Sequence, residues 1–299
     1  MGVLDGLSLD PSGEGVTVFA PHPDDEVFGC GGLLALLAAQ GFRLRVVIVS
    51  DGGFGEFGRD TAARKRESRA AMTLLGEADI DFWDLPDQGL GGIDDLDQRF
   101  QAELEAYPCQ LMLAPSPWEV HPDHLAVCMA ASKAWRQMER PPQLAFYEVG
   151  VPMPRAFILD ISQVAERKRQ AMACFASQNA IQDYAQQIGG LNTYRGYVLE
   201  ARGAWGEAYF RPEPALLRAG GVEVLAGLLA GQHLLWSPES GREESRQPFT
   251  QESLAALLEE SQGLQATLAA LYASTSWRLT APLRALMRWF RSLSTGSGR

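Results

Sequence analysis

Histidine is scarce in this 299-residue chain, and three of its four copies stand in two short clusters: Pro21-His22-Pro23-Asp24-Asp25-Glu26 and His121-Pro122-Asp123-His124. Imidazole nitrogen and carboxylate oxygen are ligand types that suit a borderline divalent ion such as zinc, and a catalytic site typically uses three protein ligands and leaves a position for water. Two histidines and one aspartate would meet that count. Each cluster alone reads equally well as a turn, in which proline fixes φ and an aspartate caps the next helix. The adjacent carboxylates Asp24, Asp25 and Glu26, however, are like charges that need a cation or a solvated loop beside them. A metal accounts for both clusters at once.

The elements around the clusters place them together. The β-branched run Val16-Thr17-Val18-Phe19 precedes the first cluster, and Val27, Leu33, Leu34, Leu36 and Leu37 give a helical pattern after it. Leu111-Met112-Leu113 precedes the second cluster, and a helix is expected from Leu125 to Trp135. Both clusters then lie beyond the carboxyl ends of strands, where open α/β sheets bind ligands. Along the chain we expect strands near 16–19, 43–49, 81–84, 110–114, 143–148 and 156–160. Helices are expected over 26–39, 60–76, 94–106 and 124–137, with helical stretches 163–175 and 181–187 after them. This alternation predicts an α/β fold, a Rossmann-like three-layer α/β/α sandwich with a mostly parallel sheet.

Ala20-Pro21-His22-Pro23-Asp24-Asp25-Glu26, followed by His121-Pro122-Asp123-His124, resembles the PIG-L (LmbE-like) family of metal-dependent N-acetylglucosaminyl deacetylases. The likeness covers roughly 14–210 and includes Arg64-Lys65-Arg66-Glu67, Leu75-Gly76, Asp87-Gln88-Gly89 and Glu207-Ala208-Tyr209. It implies that His22, Asp25 and His124 bind the metal, that Asp24 is the general base and that His121, if protonated, stabilises the oxyanion. The implied ion is Zn²⁺, with Fe²⁺ or Co²⁺ as alternatives. Asp123 is expected either to orient an imidazole from behind the ligands or to cap the following helix.

The resemblance further implies that Arg64 reaches substrate and that Asp87 holds sugar hydroxyls. Arg64 reads equally well as part of a solvated helix face paired with Glu67. The glycine-rich stretch 51–58 lacks both a phosphate-loop ending and a dinucleotide fingerprint. It is expected to form a pocket rim, with Phe54 and Phe57 as sugar-stacking candidates. Lys168, Ser177, Gln178, Tyr194 and Arg195 resemble later polar positions of the family, without assignable roles.

Composition agrees with a large core: 46% hydrophobic and 21% charged residues. The start of the chain lacks a basic segment followed by an apolar stretch, and no apolar run approaches the ~18 residues that span a bilayer. A cytoplasmic protein is expected. Cys30, Cys109, Cys128 and Cys174 lack CxxC spacing and are expected to be free thiols. A net charge of -11 argues against nucleic acid as a partner.

The boundaries expected are a deacetylase domain over 1–210, a connecting segment and linker over 211–248, and a helical extension over 249–299. Leu254, Leu257, Leu264, Leu268 and Leu271 make about three heptads, enough for a short coiled coil and a homo-oligomer or for one helix packed on the domain. Residues 275–299 carry five arginines and no acid, so the rest of the chain holds -16. The segment Ser274–Arg284 resembles an element of bacterial polysaccharide-biosynthesis enzymes. The basic amphipathic pattern after it suits a membrane surface, a glycan-assembly protein or the acidic domain itself. The expected function is removal of acetyl from an N-acetylglucosamine-type sugar or glycoconjugate in a bacterial surface glycan or lipopolysaccharide precursor. The alternatives are an amidase for a small N-acyl or thiol conjugate and a non-catalytic glycan-binding scaffold.

Overall fold

Strand residues of both parities are apolar in this chain, which is the pattern of a sheet covered on both faces. Val16, Val18, Val46, Ile48, Leu111, Leu113, Ala145 and Tyr147 belong to one core. Their neighbours Phe19, Val47, Val49, Met112, Ala114, Leu144 and Phe146 belong to a second. The computed structural model describes residues 9–53, 60–200, 204–219 and 221–222. Expectations for Phe54, Phe57, the coiled-coil pattern and the tail 275–299 lie outside these residues.

Seven strands form one sheet in the order β3-β2-β1-β4-β5-β7-β6. They are β1 (Gly15–Ala20), β2 (Leu44–Ser50), β3 (Asp79–Leu85), β4 (Cys109–Pro115), β5 (Gln143–Tyr147), β6 (Phe157–Asp160) and β7 (Gly206–Phe210). The first five are parallel neighbours, whereas β7 runs antiparallel to both β5 and β6. Helices α1 (Asp25–Ala39), α2 (Thr61–Leu75) and α5 (Ala165–Ala173) pack in the first core, and α3 (Leu96–Ala106) and α4 (Pro122–Gln137) in the second. This is the expected α/β sandwich. Short α6 (Ala176–Asn179) and α7 (Tyr184–Arg195) follow α5, so the helix expected at 181–187 starts later and runs longer. The strand β7 was not anticipated.

The strand order reverses direction at β1, with β2 on one side and β4 on the other. The carboxyl ends of β1 and β4, Ala20 and Pro115, open into the two histidine clusters. That is a topological switch point, the crevice in which doubly wound sheets hold ligands.

Helix α1 is broken at Cys30 (φ -136°, ψ 18°). The break frees backbone groups, and two buried side chains satisfy them. Lys168 Nζ donates to Phe28 O at 2.9 Å, while the Glu207 carboxylate accepts from Gly32 N at 2.6 Å and Leu33 N at 2.8 Å. Lys168 and Glu207 also pair at 2.7 Å, with Tyr209 Oη donating to Glu207 at 2.7 Å. The first turns of α1, which carry Asp25, are thereby pinned separately from the rest of the helix. A Cβ at Gly32 would sit 2.7 Å from Ile161 and 2.8 Å from Glu207, so only glycine lets the carboxylate approach.

Candidate active site

Asp24 precedes α1 with φ 139°, a conformation strained for any residue with a side chain. Its surroundings hold it there. Its N–H donates to Glu26 Oε2 at 2.9 Å, and its carbonyl accepts from Val27 N and Phe28 N. Arg64 Nη2 donates to its Oδ2 at 3.0 Å and to Pro23 O at 2.9 Å, and Arg64 Nη1 donates to Gly52 O at 2.7 Å. The turn aims the next residue, Asp25, at the histidines. Asp25 Oδ2 is 3.1 Å from both His22 Nδ1 and His124 Nε2, and accepts the His22 N–H at 3.0 Å.

The remaining nitrogens of those imidazoles face carboxylates. His22 Nε2 is 3.2 Å from Asp87 Oδ1 and 3.3 Å from Asp123 Oδ2. His124 Nδ1 is 3.4 Å from Glu119 Oε2. His121 is the N-cap of α4, its Nδ1 accepting from Asp123 N at 3.2 Å. The capping role considered for Asp123 therefore falls to His121. Asp123 is fully buried, accepts from Gln88 N at 2.6 Å and Leu90 N at 3.2 Å, and faces His22. The structure brings His22, Asp24, Asp25, Arg64, Asp87, His121, Asp123 and His124 into one site.

Charge states follow from this crowding. Burial pushes the Asp24 carboxyl up to about 7, although the Arg64 guanidinium opposes the rise. Burial works against ionisation of Asp25 too, but His124 and His22 overcome it and hold the group well below the usual carboxylate range. His124, despite burial, is raised to about 9 by Asp25 and Glu119, and His22 is raised by Asp123, Asp25 and Asp87. Burial and the two neighbouring imidazoles lower His121. With Nδ1 accepting a backbone N–H, neutral His121 carries its proton on Nε2, so it offers a donor without being protonated twice.

Two donor groups of the site could hold a divalent ion. Ligand nitrogens of His22, His121 and His124 lie within 4.8 Å of one another, and ligand atoms of His22, Asp87 and Asp123 do likewise. Donors bound tetrahedrally at ~2.0–2.1 Å stand about 3.3 Å apart, close to the two 3.1 Å separations around Asp25 Oδ2. The surrounding carboxylates favour positive charge at this spot, which a bound cation would supply.

Residues 17–135 match the profile of the family described as PIG-L: GlcNAc-PI de-N-acetylase. Over that stretch the chain is similar to the PIG-L family. It is similar to a probable N-acetyl-alpha-D-glucosaminyl L-malate deacetylase 2 of Bacillus cereus, 27% identical over 54% of this chain and 83% of that protein. A 4-oxalmesaconate hydratase of Pseudomonas putida is 28% identical over 57% of this chain and 76% of its own length. The N,N'-diacetylchitobiose deacetylase structure from Pyrococcus horikoshii superposes with a TM-score of 0.59 at 23% identity, covering 67% of this chain and 84% of that one. This last likeness speaks to the fold. The matched profile and the Bacillus cereus relative are both described as deacetylases, which are hydrolases of amide C–N bonds.

Two features of the site go beyond the sequence reading. Glu119, 4% exposed, accepts from Val149, Gly150 and Val151 N–H groups at 2.8–3.4 Å while its Oε2 faces His124, so it joins the pocket rim to that imidazole. Its place just before the second cluster was the available signal. Arg64 is not on a solvated face: it is 6% exposed, and Glu67 binds Ser177 instead. Gly52 (φ +63°) makes room for it, since a Cβ there would lie 2.1 Å from Arg64 Nη1. Gly52→Ala is expected to cost about 1 kcal/mol or more through its positive φ, and to loosen Arg64 from Asp24. The check is a lowered unfolding midpoint together with reduced turnover at unchanged metal content. Full turnover in the variant would show that Arg64 is not needed to hold Asp24.

Among the described residues no helix is long and apolar enough to cross a membrane. None of the four cysteines forms a disulfide: Cys30, Cys109 and Cys128 are buried and Cys174 is partly buried. Burial pushes the Cys30 thiol well up, which agrees with an inert role.

Proposed function

We propose that the chain removes the N-acetyl group from an N-acetylglucosamine-type sugar, with His22, Asp25 and His124 holding a zinc ion. The convergence of His22 Nδ1 and His124 Nε2 on one oxygen of Asp25, with Asp24 fixed beside them, carries this reading. Two effects come with a divalent ion held there: polarisation of the amide carbonyl and acidification of water toward neutral pH.

The chain's own groups supply the rest. Asp24 is the general base, its carboxylate held beside the ligands by Arg64 at 3.0 Å. His121 Nε2–H donates to the oxyanion that forms at the former carbonyl. Asp123 and Glu119 orient His22 and His124. Asp87 accepts a sugar hydroxyl from the pocket wall, and Arg64 is assigned to substrate on its place in the lining besides its hold on Asp24. A role in a bacterial surface glycan rests on the tail sequence alone.

The test is acetate release from N-acetylated sugars by zinc-loaded enzyme, with metal measured in the same samples. Release is expected from wild type, and His22→Ala, Asp25→Ala and His124→Ala are each expected to lose most of the bound metal. Unchanged stoichiometry in any of the three would remove that residue from the ligand set. No release from a metal-filled enzyme on any sugar would sink the deacetylase reading.

A further inference from the structure

The loop 148–153 after β5 forms part of the pocket over the site, through Val149, Gly150 and Pro152. It contains no helix or strand, so its amides pair with side chains instead. Glu119 takes three of them, Val149 N at 2.8 Å, Gly150 N at 3.1 Å and Val151 N at 3.4 Å. Glu148, a buried residue, takes a fourth, Met153 N at 2.8 Å. Two carboxylates therefore set the course of this loop.

Arg195, the last residue of α7, closes the arrangement. Its Nε donates to Glu148 Oε1 at 2.8 Å, and its Nη2 donates to Glu148 Oε2 at 2.6 Å and to Met153 O at 2.9 Å. A planar guanidinium meets a carboxylate in this two-bonded way, which an ammonium does not reproduce. Helix α7 also lines the pocket, through Tyr184, Gln187, Ile188 and Leu191, so one ion pair joins two of its walls. Neither Arg195 nor Glu148 is in the lining itself, so neither is placed to touch substrate. From the loop the contacts continue inward. Glu119 Oε2 is 3.4 Å from His124 Nδ1, and His124 Nε2 is 3.1 Å from Asp25 Oδ2. Removal of the guanidinium leaves the buried Glu148 carboxylate without its counter-charge. The loop then has to move to let water reach that group, and the amides held by Glu119 move with it.

We propose that Arg195 is a positioning residue for the metal site: its bonds to Glu148 and Met153 fix the loop, the loop fixes Glu119, and Glu119 fixes the His124 imidazole. The proposal rests on the reading of His124 as a metal ligand. Two quantities test it on the full chain, in wild type, Arg195→Ala, Glu119→Gln and the double variant. One is hydrogen exchange of the Val149, Gly150 and Val151 amides, read by NMR on metal-free protein, and the other is the rate of zinc release to excess EDTA. Arg195→Ala is expected to speed both by about tenfold or more, since lost partners of a ligating histidine typically weaken metal binding by roughly 10–100-fold. In the Glu119→Gln background the same substitution is expected to change zinc release by less than about twofold, because the path is already cut. Arg195→Lys keeps the charge without the two-bonded geometry, and is expected to speed both by about threefold. It carries the test if Arg195→Ala does not fold. Arg45→Ala loses bonds to Asp79, Asp81 and Glu103 at the amino end of β2, and controls for lost stability alone. Its zinc release is expected to match wild type.

Unchanged exchange at the three amides in the Arg195 variants would overturn the proposal, as would an Arg195→Ala effect on zinc release that persists in full beside Glu119→Gln. Equal acceleration by Arg45→Ala would reduce the effect to general destabilisation and overturn it too. Zinc bound by wild type and released at one rate from all variants overturns this proposal alone and leaves the ligand reading standing. A wild type that binds no zinc removes both.

Discussion

Asp24→Asn is expected to lower turnover by about 10²–10⁴-fold, the range of a lost general base, while the bound metal stays at the wild-type level. The two halves of this result have separate physical origins. Asparagine keeps the size of the side chain and an oxygen for Arg64 Nη2, so the strained turn that aims Asp25 at His22 and His124 is preserved. What disappears is the capacity to take a proton. Metal analysis and single-turnover acetate release on one preparation read both quantities. Turnover within tenfold of wild type in a metal-replete variant would move the base to another carboxylate, with Asp87, 3.2 Å from His22 Nε2, the next candidate.

The second large effect concerns stability. Lys168→Met is expected to destabilise the fold by about 3–5 kcal/mol, because removing one partner of a buried ion pair leaves the other uncompensated. Lys168 and Glu207 have side chains 0% and 1% exposed, so solvent cannot take over the lost interaction. Glu207 would keep Gly32 N, Leu33 N and Tyr209 Oη as donors, and Phe28 O would lose its partner. Adding Glu207→Gln to Lys168→Met is expected to recover part of the loss, since the buried charge is then gone. Denaturant midpoints for the two single variants and the double variant form the cycle that isolates the pair. A Lys168→Met midpoint equal to wild type would mean that the pair contributes no net stability.

The sequence made the chemistry visible because the reacting residues are close neighbours in it. His22 and Asp25, or His121 and His124, announce themselves at three-residue spacing, and strands apolar at both parities imply a sheet buried on both sides. What stayed hidden depends on long separations. Glu207 meets Gly32 across 175 residues, and Asp123 meets Gln88 across 35, contacts that local spacing does not encode. The solvated-face alternative for Arg64 rested on its charged neighbours Lys65, Arg66 and Arg69, whereas α2 turns that one position inward against Gly52. The break in α1 had a local trace, the glycines around Cys30 in Phe28-Gly29-Cys30-Gly31-Gly32. Glycine alone does not distinguish a broken helix from a closely packed one. The β7 segment, Gly206–Phe210, is short and mixes Glu207 with apolar residues, so its identity as an interior strand rests on the partners that satisfy that carboxylate.

The position of β7 bears on how the protein is made. Both histidine clusters are synthesised by residue 124, whereas the strand that fills the gap between β5 and β6 comes about eighty residues later, roughly 4–17 s at 5–20 residues per second. Throughout that interval the nascent chain holds every reacting side chain, an open edge on β5, and a fractured helix whose exposed amides await Glu207. A nascent chain too short to expose the last strand thus has its ligands before it has the frame that sets their geometry.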